Sequence, residues 1–335
     1  MTGALASLGM ATLAAGGAEL GGLSQGPTLG LTLALLSSLA WLGLDLARKA
    51  LGEGEDALEA LLLLVFAQSL VTGALVTGVL ALGPEIDASG DGAASLWSVV
   101  PPGRDGWVAL GLVTALNLLS NWLFLRALQA SPLSLTTPYL ALTPVFTALI
   151  AIPVDGEWPG PRPALGILLV TLGAFVLPRS ESARSPLEIL RALRTESGSL
   201  MMIGVAVIWS LTPTIDRAAA RSGSVLGHAL AVSLALLLVL LLIALGRGRR
   251  LSGLAELARR RRREAAACGL LVTAGFVLQL AAWQSVPIAF VETLKRGIGV
   301  FGALLVGRWF YSEDVGAARL VAGAMMVVGV ALVVI

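Results

Sequence analysis

Long apolar runs, separated by short polar segments, dominate the chain from residue 30 onward. The run "LALLLVLLLIAL" at 234–245 shows none of the apolar–polar alternation that a strand of a membrane β-barrel needs. Since backbone polar groups in lipid must be satisfied within their own segment, we predict that the runs are transmembrane helices. The pattern gives ten spans: 30–49, 60–82, 107–129, 131–153, 163–178, 200–220, 225–245, 265–284, 286–310 and 316–335.

Composition supports an all-α integral membrane protein with ten transmembrane helices. Hydrophobic residues make up 56% of the chain and charged residues 13%, against about 25% charged residues in soluble domains. Polar stretches are too short to form an aqueous domain. Residues 1–29 contain one charge, Glu19, and lack the basic start of a signal peptide. We expect them to form a poorly ordered leader.

The chain offers little catalytic or metal-binding chemistry. Cys268 is the only cysteine and His228 the only histidine, which excludes an intrachain disulfide and a soft metal site. We therefore predict no enzyme activity, no cofactor and no metal. The expected partners are a small-molecule substrate and the lipid bilayer, with no nucleic acid, and the protein is expected to be a monomer or a homodimer.

The two halves of the chain resemble each other. "FLRALQASPLS" (124–134) aligns with "QLAAWQSVPIA" (279–289) at an offset of 155, and 157–177 aligns with 313–333 at an offset of 156. Trp41 and Trp209 occupy matching places in the opening span of each half. We predict two five-helix repeats, 30–178 and 200–335, joined by a loop at 179–199. Since five is odd, the second repeat enters the membrane from the opposite side, as in many secondary transporters.

The end of each half resembles an EamA repeat of the drug/metabolite transporter superfamily. The segments are "LTPVFTALIAIPVDGEWPGPRPALGILLVTLGAFVL" and "LKRGIGVFGALLVGRWFYSEDVGAARLVAGAMMVVGVALVVI". Each has an apolar helix, an acidic residue at the turn (Glu157, Glu313) and a Gly-rich helix. The resemblance implies ten helices in two inverted repeats around a central cavity that alternates its access.

Lysine and arginine fall unevenly on the two sides of the alternating spans. Seventeen of the 23 lie on one side, eight of them at 247–263, four lie on the other, and Lys295 and Arg296 lie within a span. Since these residues stay cytoplasmic, we predict a multi-pass protein of the cell (inner) membrane. The 246–267 loop is then cytoplasmic and both termini are outside, whereas the resemblance implies cytoplasmic termini.

Three charged residues interrupt the ninth span, in "FVETLKRGIGVF" (290–301). Lys295 lies about 14 Å into the span at 1.5 Å per residue, near the midplane of a roughly 30 Å core. An ionised group facing lipid there costs about 2.5–3.5 kcal/mol. Glu292, Lys295 and Arg296 must therefore face protein or a water-filled cavity, and both cations lie within helical reach of the carboxylate.

Glu292 can neutralise only one of the two cations, so the cluster keeps one positive charge. An anion-binding site is the favoured interpretation, because Arg grips a carboxylate or phosphate bidentately and Lys adds a point charge. A buried salt bridge that only fixes packing, and proton coupling through Glu292, are the alternatives. Lys295 and Arg296 also resemble a Lys-Arg pair that contacts substrate phosphate in the phosphate-translocator branch, although the first half lacks a matching lysine.

Other polar residues within the spans extend the candidate site. Asp45 either pairs with Lys49, four residues on, or carries a proton. Five further side chains are predicted to line a cavity or to hydrogen-bond between helices: Asn117, Asn121, Trp122, Gln279 and Gln284.

Small residues and prolines predict local packing in three spans. Gly299, Ala303 and Gly307 recur at four-residue steps, which favours close helix contact, with Gly297 and Gly302 as further room for a neighbour. Three prolines are predicted to kink the fourth and sixth spans: Pro138, Pro144 and Pro213.

These features predict a secondary transporter that moves a small organic metabolite, anionic or zwitterionic, by alternating access. One alternative is a proton-coupled exporter of cationic or apolar compounds, with Glu292 or Asp45 carrying the proton. Another is a membrane-embedded enzyme acting on a lipid-linked substrate. A scaffold without transport activity would leave the midplane charges without a purpose.

The topology prediction can be tested with reporters at the C-terminus. Alkaline phosphatase fused there should be active and a green fluorescent protein dark, because the phosphatase matures only outside the cytoplasm. The same reporters inserted within 246–267 should give the opposite pattern. A fluorescent C-terminal fusion would contradict the charge-based orientation.

Overall fold

The computed structural model describes residues 27–52, 55–86, 103–130, 137–156, 158–176, 197–249, 251–311 and 317–334. Every regular element in these ranges is helical. The α-helices are α1 (Pro27–Gly52), α2 (Ala57–Ile86), α3 (Gly103–Ala130), α4 (Thr143–Asp155), α5 (Pro161–Val176), α6 (Ser197–Ser222), α7 (Val225–Gly246), α8 (Leu251–Arg260), α9 (Arg262–Ala282), α10 (Ile288–Tyr311) and α11 (Ala317–Val334), and a 3₁₀ helix (Thr137–Leu142) precedes α4.

Each of the ten predicted spans overlaps a helix, and the protein is an all-helical membrane protein. Six helices in the described ranges are long and apolar enough to cross a membrane, namely Thr28–Gly52, Leu58–Ala81, Gly103–Phe124, Ser197–Arg221, Val225–Gly246 and Arg262–Ala282. Three shorter apolar helices are Tyr139–Val154, Pro161–Gly173 and Val321–Val333. Helix α10, which contains Glu292, Lys295, Arg296 and Arg308, belongs to neither group. Ten membrane crossings therefore stay a prediction.

The fourth predicted span is interrupted rather than continuous. It runs as the 3₁₀ helix and then as α4, whose first turn contains Pro144. Proline fits the first helical turn because its missing N–H would have no partner there. Pro144 therefore begins α4 instead of kinking a helix, while Pro213 does lie inside α6.

The basic 246–267 segment, predicted as a loop, contains the short helix α8, and α9 already begins at Arg262. The spacing of Leu254 and Leu257 puts both on one face, and Leu257 is 3% exposed, in a cluster with Leu51 of α1. An amphipathic segment thus docks on the bundle end where α1 ends.

Acidic residues at the α1–α2 turn pair with this basic segment. Arg249 contacts Asp56 at 3.0 Å and Glu59 at 2.9 Å, and Arg261 contacts Glu55 at 3.2 Å. Exposed pairs of this kind contribute at most about 1 kcal/mol each. They place the C-terminal end of α1 at the same end of the bundle as α8.

Several predicted segments lie outside the described residues. These are most of the leader, most of the 179–199 connecting loop, and the turn residues Glu157 and Glu313. Helix α1 begins at Pro27 and α6 at Ser197, so each starts three residues before the predicted repeat boundary. The repeat boundaries themselves stay a prediction.

Helix contacts follow the internal repeat. The opening helix of each half packs against the third apolar helix of the other half, α1 against α9 and α6 against α3. The second helices, α2 and α7, pack together, and so do the fifth helices, α5 and α11. An exchange of partners of this kind is expected when two similar halves are related by a two-fold axis.

Helices α5 and α11, the fifth helices of the two halves, cross at close range and run antiparallel. A Cβ added to Gly166 would lie 2.5 Å from the carbonyl oxygen of Gly329, and one added to Gly173 would lie 2.9 Å from that of Ala322. Gly173 follows Gly166 in α5, whereas its partner Ala322 precedes Gly329 in α11. The two helices therefore run antiparallel. At the repeat offset of 156, Gly166 corresponds to Ala322 and Gly173 to Gly329, so the two contacts are equivalent in the two halves.

This crossing yields a stability prediction. Gly329→Ala should destabilise the protein by about 1–3 kcal/mol, because the added methyl meets backbone that cannot move without separating α5 from α11. Gly111→Ala, in α3 with nothing within 4 Å of the added carbon, should be neutral or stabilising. Unfolding free energies in mixed micelles would measure both, and equal stability of the two variants would contradict the close crossing.

Candidate functional site

A cavity of about 710 Å³ lies between the two halves. Helices α1, α2, α3, α6, α7, α9 and α10 line it. All the predicted substrate-binding and proton-coupling candidates line it too: Asp45, Asn117, Asn121, Gln279, Glu292, Lys295 and Arg296. The fold therefore brings these side chains together from α1, α3, α9 and α10, while their roles stay predictions.

Glu292 is the most enclosed charged group of the cavity, with 1% exposure. Its Oε1 accepts hydrogen bonds from Lys295 Nζ at 2.8 Å and from Gln279 Nε2 at 3.0 Å. Gln279 Oε1 in turn accepts the indole N–H of Trp41 at 2.6 Å. A buried carboxylate is costly unless it is paired and hydrogen-bonded. This chain of contacts meets that requirement and joins α1, α9 and α10.

Arg296 does not pair with Glu292, although helical spacing puts it within reach. No ion pair within 4.0 Å joins the two side chains in the described part of the chain. The Nη2 of Arg296 donates a long hydrogen bond of 3.4 Å to Thr143 Oγ1, at the start of α4, and its buried Nε has no hydrogen-bond partner among the described residues. The contacts thus agree with the prediction that Glu292 neutralises only one of the two cations, and that cation is Lys295.

The two cations lie over the two repeat-related tryptophans. Lys295 Nζ is 5.5 Å from the ring centroid of Trp41, and Arg296 Cζ is 5.5 Å from that of Trp209. Contacts of this geometry contribute about 0.5–2 kcal/mol. The indole N–H of Trp209 donates to Ser120 Oγ at 3.1 Å. The aromatic faces hold the cations without neutralising them.

A second hydrogen-bond donor at the cavity is unused. Trp283, at the end of α9, is 1% exposed and lines the cavity, and its buried indole N–H has no partner among the described residues. An unmade hydrogen bond at a buried donor costs about 1–3 kcal/mol. Like the Nε of Arg296, this donor is enclosed by protein, so the cavity wall would have to rearrange before a ligand could reach it.

Two residues predicted to line the cavity lie elsewhere. Trp122 is 50% exposed, with Arg126 Cζ 5.6 Å from its ring centroid. Gln284 donates to the carbonyl of Leu280 at 3.0 Å and does not line the cavity. Neither side chain lines this cavity, and hydrogen bonding between helices, the alternative for both, stays a prediction. Asn117 and Asn121 do line it, and each donates to a carbonyl one turn earlier on α3.

Gly299 faces open space in the cavity, so the prediction that it packs against a helix is wrong. Its neighbours Gly297 and Gly302 make the close contacts instead, with Val330 of α11 and Leu42 of α1. The side chains of Ala303 and Glu313 fall outside the described residues. A larger residue at 299 would fill the cavity without displacing a helix.

Asp45 pairs with Arg48 at 2.7 Å. The side chain of Lys49, the predicted partner, lies outside the described residues. Asp45 and Arg48 are about half exposed, 51% and 50%. They line the cavity at the C-terminal half of α1. The cavity is thus accessible at the end of the bundle where α8 lies, while Glu292 and Gln279 lie buried.

The sequence interpretation missed a buried pair. His228 Nε2 and Asp216 Oδ1 lie 2.8 Å apart, and each side chain is 6% exposed. Asp216 lines the cavity from α6, and His228 stands four residues into α7. An aspartate inside the apolar span 200–220 was the available signal. Among the described residues, no group of three His, Cys, Asp or Glu side chains could hold a metal ion.

Comparison with known proteins gives a family and a fold. The family model described as the EamA-like transporter family matches residues 28–178 and 196–335. A known crystal structure, described only as that of a protein, matches with a TM-score of 0.66 at 18% identity, over 91% of this chain and 96% of its own. That likeness concerns the fold alone. No curated protein sequence matches the chain.

The Glu292 network makes a prediction about stability. Lys295→Gln should cost about 3–5 kcal/mol, because it leaves a buried carboxylate without its cation. Glu292→Gln/Lys295→Gln should recover most of that loss, since neither charge remains. Asp45→Asn/Arg48→Gln, which removes a half-exposed pair, should cost at most about 1 kcal/mol. Unfolding free energies of the three variants test this, and a double variant no better than Lys295→Gln would refute the pairing.

Proposed function

Because the chain belongs to the EamA-like transporter family, within the drug/metabolite transporter superfamily, we propose that it is a secondary transporter of a small organic anion or zwitterion. The substrate would bind in the cavity between the repeats and be released by alternating access. The resemblance predicted from the ends of the two halves is thereby confirmed at the level of the family. Transport, not catalysis, is the activity of that family.

The observation that carries the proposed substrate class is the state of Arg296. Lys295 and Glu292 neutralise each other by direct contact, whereas Arg296 has only a long hydrogen bond and an aromatic face. A part-buried guanidinium with no carboxylate within 4.0 Å among the described residues favours an anionic ligand, which it can grip through two N–H groups.

The dimensions of the cavity suit a metabolite. Ligand pockets of about 300–1,000 Å³ hold small organic molecules, and this one measures about 710 Å³. Its lining mixes apolar and aromatic side chains with a few convergent polar groups. A cationic substrate, as the alternative exporter would carry, would meet the unpaired charge of Arg296.

The cavity is open at one end of the bundle and closed at the other, which supports alternating access. The half-exposed Asp45–Arg48 pair stands at the end of the bundle that carries α8, and the turn between α9 and α10 blocks the other end. Trp283, Val286 and Ile288 of that turn are at most 5% exposed. If the basic segment is cytoplasmic, the structure is open to the cytoplasm.

We also infer ten crossings of the inner membrane, arranged as two inverted repeats. The antiparallel crossing of α5 and α11, the fifth helices of the two halves, supports this arrangement. Helix α10 would cross with its charges turned to the cavity, where the cost of facing lipid does not apply.

Ligand-dependent stabilisation of the purified protein tests the substrate class. Lactate, inorganic phosphate, glutamate and the cation tetraphenylphosphonium would be compared by thermal unfolding. At least one anion should stabilise the wild type. Arg296→Gln should weaken its affinity about tenfold to a hundredfold, and Arg296→Lys should lie between.

Arg126→Gln is the matched control, because Arg126 also stacks on a tryptophan but lies outside the cavity. Its anion affinity should equal that of the wild type. Counterflow of the stabilising anion in proteoliposomes should follow the same order of variants. Stabilisation by the cation alone, or an unchanged anion affinity in Arg296→Gln, would overturn the proposal.

A further inference from the structure

The buried pair of Asp216 and His228 has no part in the substrate contacts described above. It joins α6 to α7 through a contact of 2.8 Å, with each side chain 6% exposed. Asp216 lines the substrate cavity. His228 is the only histidine of the chain, and a neutral imidazole can bind a second proton at the ring nitrogen that carries none.

We propose that the Asp216–His228 pair binds the coupling proton, and that this proton crosses the membrane together with one monoanion. The inference rests on the proposed function as an anion transporter. It assigns the coupling site to residues other than Glu292 and Asp45, which the sequence favoured.

The two carboxylates favoured by the sequence are poorly suited to release and bind a proton in a transport cycle. Glu292 already accepts two hydrogen bonds, one of them from the ammonium of Lys295. Asp45 is half exposed and already pairs with Arg48. The Asp216–His228 pair is enclosed, and its imidazole has a second ring nitrogen that can bind a proton.

The charges of the cavity wall explain why a proton would accompany an anion. Among the described residues, three acidic and three basic side chains line the cavity, so their formal charges cancel while His228 is neutral: Asp45, Asp216 and Glu292 against Arg48, Lys295 and Arg296. One proton on His228 gives the site a charge of +1. That charge is neutralised by a single monoanion, so proton and anion favour each other's binding.

Other charged groups on the helices that pack against α6 and α7 do not enter the cavity. Arg217 follows Asp216 and is 6% exposed, but it does not line the cavity and has an interaction of its own. As an arginine it keeps its charge while His228 titrates. The remaining charged residues on these packed helices stand towards helix ends: Glu59, Glu85, Arg104, Asp105, Arg126, Asp155, Arg221, Arg262, Arg263 and Glu264.

The protonation step involves one N–H bond only. An ionised carboxylate only accepts hydrogen bonds, so Nε2 of His228 carries the hydrogen that points at Asp216. The incoming proton comes from water on one side of the membrane and binds at Nδ1, because Nε2 is engaged with Asp216. When the cavity opens to the other side, the same nitrogen returns the proton to water.

The single histidine allows proton binding to be observed directly. Protein labelled with ¹⁵N in its imidazole, and purified with a tag free of histidine, gives signals from His228 alone. We expect them to move from the neutral to the protonated positions as the pH is lowered, with a different midpoint in Asp216→Asn. Signals of one protonation state at every pH at which the protein stays folded would overturn the proposal, whether or not any anion is transported.

Proton uptake on anion binding tests the coupling. Potassium lactate would be added to unbuffered protein with a pH indicator, and wild type should take up about one proton for each lactate bound. Asp216→Asn/His228→Gln, which keeps a neutral hydrogen bond between α6 and α7, should bind lactate without taking up a proton. Glu256→Gln, on the exposed face of α8, should behave as the wild type.

The possible outcomes separate the two proposals. Proton uptake that persists in the double variant would overturn the assignment to this pair. Lactate binding to the wild type without proton uptake would overturn the coupling. If the anions tested do not bind at all, the proposed function fails, and the proton site is then decided by the imidazole titration alone.

Discussion

Burial of the Glu292 carboxylate is the constraint on which the rest of the cavity depends. A carboxylate that is 1% exposed must find donors inside the protein. Lys295 supplies one from the next turn of the same helix, and Gln279 supplies another from α9. Gln279 can turn its amide to the carboxylate because its carbonyl accepts the indole N–H of Trp41. One buried charge thereby fixes the mutual positions of α1, α9 and α10.

Lys295 and Arg296 are neighbours in α10 but contact different partners, because a helix turns by about 100° per residue. Lys295 points to Glu292 and the Trp41 side, in the first helix of one half. Arg296 points to Trp209 and Thr143, in α6 and α4. Lys295 is thus neutralised within the protein, whereas Arg296 has no carboxylate within 4.0 Å in the described part of the chain. The segment "ETLKR" has one more cation than carboxylate, and the cation that does not pair with Glu292 is Arg296.

The two repeats form a symmetric scaffold that carries an asymmetric site. Trp41 and Trp209 occupy equivalent places, yet Trp41 bonds to Gln279 while Trp209 stacks on Phe124, with ring centroids 6.0 Å apart. Phe124 and Gln279 are themselves equivalent at the offset of 155. In each half, the tryptophan of the first helix therefore contacts the equivalent residue of a third helix. That residue is Phe124 in one case and Gln279 in the other, and the glutamine provides the polar contact that Glu292 needs.

The sequence by itself determined the helical membrane class, the family, the register of the repeats and the inward orientation of the charged turn of α10. Each follows from short-range rules, since apolar length specifies a span, helical spacing specifies a face and internal similarity specifies a register. The tertiary structure alone decided that Gly299 faces open space, that Arg296 avoids Glu292, and that Trp122 lies outside. It also joined Asp216 to His228 across the α6–α7 turn. These outcomes depend on how neighbouring helices rotate against one another, which is set by packing among all of them and is not written in the spacing of any one.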